Sequence, residues 1–177
     1  MNQIVHNAVG WRMRKIKGVY VAESAVVVGD VTIGEDTNLW PFMCARGDVA
    51  PIRVGKGCSV QDHVMLHCKH NVQLDIGDHV LIGHHACVHC KSVGDWTLIG
   101  IGAKVLDDAV IGKECIVAAG AVVLPGTVVP DRKLVAGVPA KVIRDVSDRD
   151  MAYIRDVVTR YVDLAQAHID GKFPTVF

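Results

Sequence analysis

Neither sign of charge prevails in this chain: Lys and Arg together number 19, Asp and Glu 19, and the formal net charge is zero. That balance leaves no basic face to hold nucleic acid or an anionic membrane, so small molecules and proteins are the expected partners. Long apolar runs are missing too. Hydrophobic residues make up 50% of the chain, yet polar residues interrupt them every few positions. No stretch reaches the roughly 20 apolar residues of a membrane span. The N-terminus lacks the charged-then-apolar pattern of a secretion signal. These absences point to a soluble, cytoplasmic protein. Without such a signal, the six cysteines read as reduced packing residues or metal ligands rather than as a disulfide framework. No break in composition suggests a second domain, and 177 residues suffice for one with a substantial core.

A sustained helical or simple strand period is absent as well, and what replaces it organises the chain. Aliphatic or small residues recur every six positions: Val21, Val27, Ile33, Leu39 and Ala45. The series slips by three to Val54, Val60 and Leu66, then by four to Ile76, Ile82 and Val88. One residue is dropped, and it resumes as Val93, Ile99, Val105, Ile111, Val117, Val123, Val129 and Val135. Glycine often follows the marker residue, as at Ile33-Gly34, Val54-Gly55 and Val93-Gly94. A period of six fits neither 3.6 nor 2. It fits short strands joined by tight corners, three hexapeptides to a coil, with stacked coils sharing one Val/Ile core. The expected fold is therefore an all-β solenoid over residues 1–146, with a short lead-in to about residue 18 and a loop bulging from a corner at Cys68–Asp75. Pro125, Pro130 and Pro139 mark the last coils fading out. Ser147 and Asp150 form a helix start. Met151, Ile154, Val157, Val158, Tyr161, Leu164 and Ala165 then follow at helical spacing, so a C-terminal helix over 147–170 is expected to lie along the solenoid.

Counting the markers in threes places three histidines. Ala45, Leu66, Val88 and Val105 share one face, and Arg46, His67 and His89 directly follow markers on it. They form one column, within reach across coils about 4.8 Å apart. His84 follows Ile82 by two, on a different face. A threefold oligomer would lay that face against its neighbour, so His67 and His89 of one chain and His84 of the next are expected to bind a metal at each subunit interface. Three imidazoles leave a position for water, as in a catalytic zinc site.

The motifs Arg46-Gly47-Asp48, Gln61-Asp62, His67, and Gly83-His84 with His89 resemble the γ-class carbonic anhydrase family of hexapeptide-repeat proteins, over about Val19 to Arg144. The resemblance implies a left-handed parallel β-helix and a homotrimer. It implies that His67, His84 and His89 ligate one divalent metal per interface, zinc first, with iron or cobalt also accepted by imidazoles. Gln61 matches a position that orients metal-bound solvent, and Arg46, Asp48 and Asp62 match positions that support the contact between subunits. The implied reaction is reversible hydration of carbon dioxide to bicarbonate by a metal-bound hydroxide.

The sequence departs from active members of that family in three places. Val49 stands where they carry a glutamate, the loop after His67 lacks their acidic shuttle residues, and a tyrosine expected around Leu134-Val135-Ala136 is missing. His63, His70 and His85 are the candidate proton carriers in their place. Cys68 and Cys90 are expected as neighbours near the ligand column, open to a redox role. Two rival readings follow: a trimeric scaffold whose metal only cements the assembly, and a hexapeptide-repeat acyltransferase or thioesterase.

Overall fold

The computed structural model describes residues 12–173. The six-residue period becomes a left-handed parallel β-helix of about 6 turns with one C-terminal helix. Each coil has three short strands. The first face stacks Asn38–Leu39, Ser59–Val60, Leu81–Ile82, Leu98–Ile99 and Ile116–Val117 in parallel register. The second stacks the start of Cys44–Val54 with Met65–Leu66, Cys87–Val88, Lys104–Val105 and Val122–Val123. The third stacks the end of Cys44–Val54 with Leu74–Ile76, Ser92–Val93, Val110–Ile111 and Val128–Val129.

Each pair points one residue inward, and the inward one is the marker: Val60, Leu66, Ile82, Val88, Ile99, Val105, Val117 and Val123 are fully buried. A coil alone would expose this row on both sides. Stacking removes it from water, and burial of each such side chain contributes about 1.5–3 kcal/mol. At one corner the coils approach so closely that a Cβ on Gly94 would lie 2.6 Å from the carbonyl carbon of Gly112, which is why the residue after the marker is so often glycine.

The corner between the second and third faces is irregular. Gly29 pairs with Gly47 but Val31 pairs with Ile52, so three extra residues, Asp48, Val49 and Ala50, are accommodated within the long strand Cys44–Val54. One coil on, the inserted loop occupies this same corner. It ends earlier than expected: pairing resumes at Leu74 and Asp75, which oppose Ile52 and Arg53. Leu74 is fully buried, and its transfer into the core recovers the strand at that point.

The lead-in expected for residues 1–18 falls partly outside the described residues; the described part forms an antiparallel pair, Met13–Ile16 with Val19–Ala22. The coils continue past Pro125 and Pro130 to Val135, and the antiparallel pair Lys133–Gly137 with Ala140–Asp145 closes that end. The helix spans Asp148–Ile169 and begins with a capping box, Ser147 and Asp150 each bonding the other's backbone N–H. Its buried residues Met151, Ile154, Val157 and Val158 cover Leu81, with Leu98, Ile116 and Leu134 packed alongside. These are outward-facing positions of the first face, whose apolar row needs such a cover. No helix among the described residues is long and apolar enough to cross a membrane.

Candidate metal centre

The register brings two of the three histidines together. Leu66 opposes Val88, so the residues that follow them meet: His67 Nδ1 lies 3.0 Å from His89 Nε2. Both rings are mostly enclosed, with 15% and 27% of their side chains exposed. Arg46 and Asp48 reach the same place from the preceding coil. Arg46 Nη1 donates to Asp48 Oδ2 at 2.7 Å, and Asp48 Oδ1 lies 3.2 Å from His67 Nε2. The Arg46 guanidinium, and after it the imidazole, hold the Asp48 carboxyl below the usual carboxylate range. On the far side, Asp107 Oδ1 lies 2.5 Å from His89 Nδ1.

These contacts fix the lone pairs. A carboxylate only accepts hydrogen bonds, so Nε2 of His67 and Nδ1 of His89 carry the protons. The remaining nitrogens, His67 Nδ1 and His89 Nε2, then turn lone pairs toward each other across 3.0 Å. Two facing lone pairs repel unless a cation or proton lies between them. Two nitrogens on one tetrahedral ion with bonds of about 2.0–2.1 Å stand roughly 3.3 Å apart, close to this separation. The pair therefore fits a divalent metal.

His84 is elsewhere, on the corner after Ile82. Its Nδ1 lies 2.9 Å from Asp62 Oδ2. Its backbone N–H donates to Gln61 Oε1 at 3.1 Å, so Gln61 braces the main chain of His84. Among the described residues, no three His, Cys, Asp or Glu side chains converge as a metal site. The chain brings two of its predicted ligands together and holds the third apart.

The helix adds what sequence reasoning missed. Tyr161 interacts with Gln61, and burial pushes its hydroxyl above the ordinary tyrosine range. A groove of about 920 Å³ runs between helix and first face, lined by Leu81, Leu98, Ile116 and Tyr161, with Gln61 and His84 among its lining residues. Asp107 was missed as well; the only signal was its place two residues past Val105, a marker of the ligand column.

Other candidates divide. His63 and His85 stack on each other, and Phe42 stacks on His63, along one corner. His70 is exposed in the loop. Val49 packs against the core cluster instead of reaching the histidine pair. All six cysteines are free. Cys68 and Cys90 are buried, at 1% and 2% exposure, with their thiols donating to the carbonyls of Ala50 and Ser92. Burial pushes the Cys90 thiol up to about 12, so these two are packing residues rather than a surface redox pair.

No family model matches the chain. It is 42% identical over 158 residues to "Gamma carbonic anhydrase 1, mitochondrial" of Arabidopsis thaliana, a match covering 86% of this chain and 58% of that protein. It is 39% identical over 150 residues to "Probable carbonic anhydrase" of Methanocaldococcus jannaschii, covering 85% of this chain and 94% of that one. Among solved structures, a hexapeptide transferase family protein from Anaplasma phagocytophilum superposes with a TM-score of 0.75 at 31% identity, covering 89% and 98% of the two chains. The chain thus spans about 58% of the length of the plant relative.

Proposed function

The chain belongs to the γ-class carbonic anhydrase-like family of hexapeptide-repeat proteins, and on that footing we propose that it is a metal-dependent enzyme of the cytoplasm that interconverts carbon dioxide and bicarbonate. The observation that supports this most is the His67–His89 pair, two ring nitrogens 3.0 Å apart. His67 and His89 of one subunit and His84 of the next would hold one divalent ion, zinc first and iron or cobalt next, at each interface of a homotrimer. Bound there, the ion supplies the Lewis acidity that makes water a competent nucleophile at neutral pH.

The chain's own residues do the rest. Asp48 and Asp62 orient His67 and His84 through their second nitrogens. Arg46 holds Asp48 in place by a charge-assisted hydrogen bond that lysine would not reproduce in the same geometry. Gln61, 5% exposed, keeps the His84 backbone fixed and contacts Tyr161, and at the shared site it would orient the reacting water. The chemistry adds that water to the carbon of carbon dioxide and releases one proton.

The test is stopped-flow hydration of carbon dioxide by protein prepared anaerobically, with metal content and subunit count measured on the same sample. A rate above buffer, about one ion per chain and a trimer are expected. A rate no better than buffer defeats the catalytic reading. The transferase relative keeps a second reading in view, an acyl-group enzyme on the same coils. Such chemistry needs one histidine base and no metal, so elemental analysis separates the two.

A further inference from the structure

We infer that Asp107 is a positioning residue for the metal ligand His89, supplied by the next coil; the inference rests on the metal-centre reading above. Each of the three histidines has a carboxylate on its second nitrogen: Asp48 on His67 at 3.2 Å, Asp62 on His84 at 2.9 Å and Asp107 on His89 at 2.5 Å. The first two acids lie in the motifs Arg46-Gly47-Asp48 and Gln61-Asp62. The third lies outside every motif that marks the family in this chain, and its contact with His89 is the shortest of the set.

The fold explains how it arrives. Val88 opposes Val105 and Ser92 opposes Val110, so the four-residue corner Leu106-Asp107-Asp108-Ala109 stacks on the three residues His89-Cys90-Lys91, one residue longer than the corner it covers. Two acids stand side by side there, and they divide. Asp108 Oδ2 accepts from Lys69 Nζ at 2.6 Å, tying down the loop that follows His67. Asp107 is left to the imidazole. Its hydrogen bond keeps the proton of His89 on Nδ1 and so leaves Nε2 for the ion. The pair is partly exposed, 27% and 44% for the two side chains, so it adds little to the fold itself. Its effect is on where a ring nitrogen points and which one carries the proton.

Zinc affinity, measured by competition with a chromophoric chelator on the intact oligomer, tests this. Asp107→Ala is expected to bind about 10–100-fold more weakly than wild type, as loss of an outer-shell partner does elsewhere. The near-isosteric Asp107→Asn, whose amide oxygen can still accept, should fall between the two. It serves as well if the alanine variant does not assemble. Asp108→Ala is expected to keep wild-type affinity. In the cobalt-substituted protein, the visible ligand-field bands should shift in Asp107→Ala and not in Asp108→Ala, a signature that a merely structural role would not move. Wild-type affinity and an unshifted spectrum in both Asp107 variants would overturn the inference alone. A wild-type chain that takes up no zinc overturns the metal-centre reading and this inference with it.

Discussion

His63 and His85 lie face to face on successive coils, ring centroids 4.8 Å apart and planes within 3°. Both stand at left-handed backbone angles, φ 59° each, and Phe42 below them stands at 62°. A corner that L-residues adopt only at a cost is thus occupied by rings that recover part of it through stacking. These rings neighbour Asp62 and His84 in the chain, and their order helps keep that corner still.

This relationship predicts the response to substitution. His85→Val places a β-branched residue at positive φ and removes the stack, and should cost about 1–3 kcal/mol. His85→Asn, tolerated at such angles, should cost less. Thermal unfolding of the two variants side by side measures the difference, and equal midpoints would remove the argument.

The proposed sharing of the site between subunits predicts complementation. His67→Ala and His84→Ala homotrimers should each bind no metal at the site. Unfolded together in equal amounts and refolded, they should regain about a quarter of the wild-type sites, since one interface arrangement in four has all three ligands in a closed ring. No recovery in trimers of mixed composition would mean that one chain supplies every ligand.

Close packing of the coils predicts unequal glycines. Gly94→Ala drives a Cβ to 2.6 Å from the backbone of Gly112, whereas a Cβ on Gly120 meets nothing within 4 Å, at φ +67°. The first substitution should cost about 1–3 kcal/mol or more through overpacking, the second about 1–2 kcal/mol through backbone strain alone. Denaturant midpoints of the two variants order them.

Acid should loosen the helix through Asp150. Arg144 first, and Ser147 after it, hold its carboxyl well below the usual range. A depressed folded-state pKa means that its contribution is present above the ordinary aspartate value of about 3.9 and is lost as pH falls toward the folded one. Circular dichroism at falling pH should show helix loss beginning below about pH 4, with a shallower dependence in Asp150→Asn. Identical acid profiles would exclude the cap as its source.

Much of this was legible before any coordinates. The six-residue period fixes which residues point inward, because a strand alternates and each coil repeats the last; hence Leu66 opposing Val88, and His67 meeting His89, follow from counting. The helix start at Ser147 is equally local. Less legible were contacts set by side-chain reach across coils. Nothing in the spacing says that Asp107 rather than Asp108 turns to His89, since both sit in one turn and only the position of Lys69 separates them. Tyr161 reached Gln61 because the helix crosses the first face at a particular height, which periodicity does not encode. The loop's early return at Leu74 was missed because the marker count looks for Ile76 and ignores the apolar residue two before it.

The irregular corner carries a consequence for how such a protein can change. Strand pairing is back in step by Val105, so residues added or deleted near Asp48 or Cys68 leave the coils above and below unaltered. Loop length there can drift across lineages, or be set by an engineer, while the stacked interior stays constant. New chemistry can be tried at that edge without putting the architecture at risk.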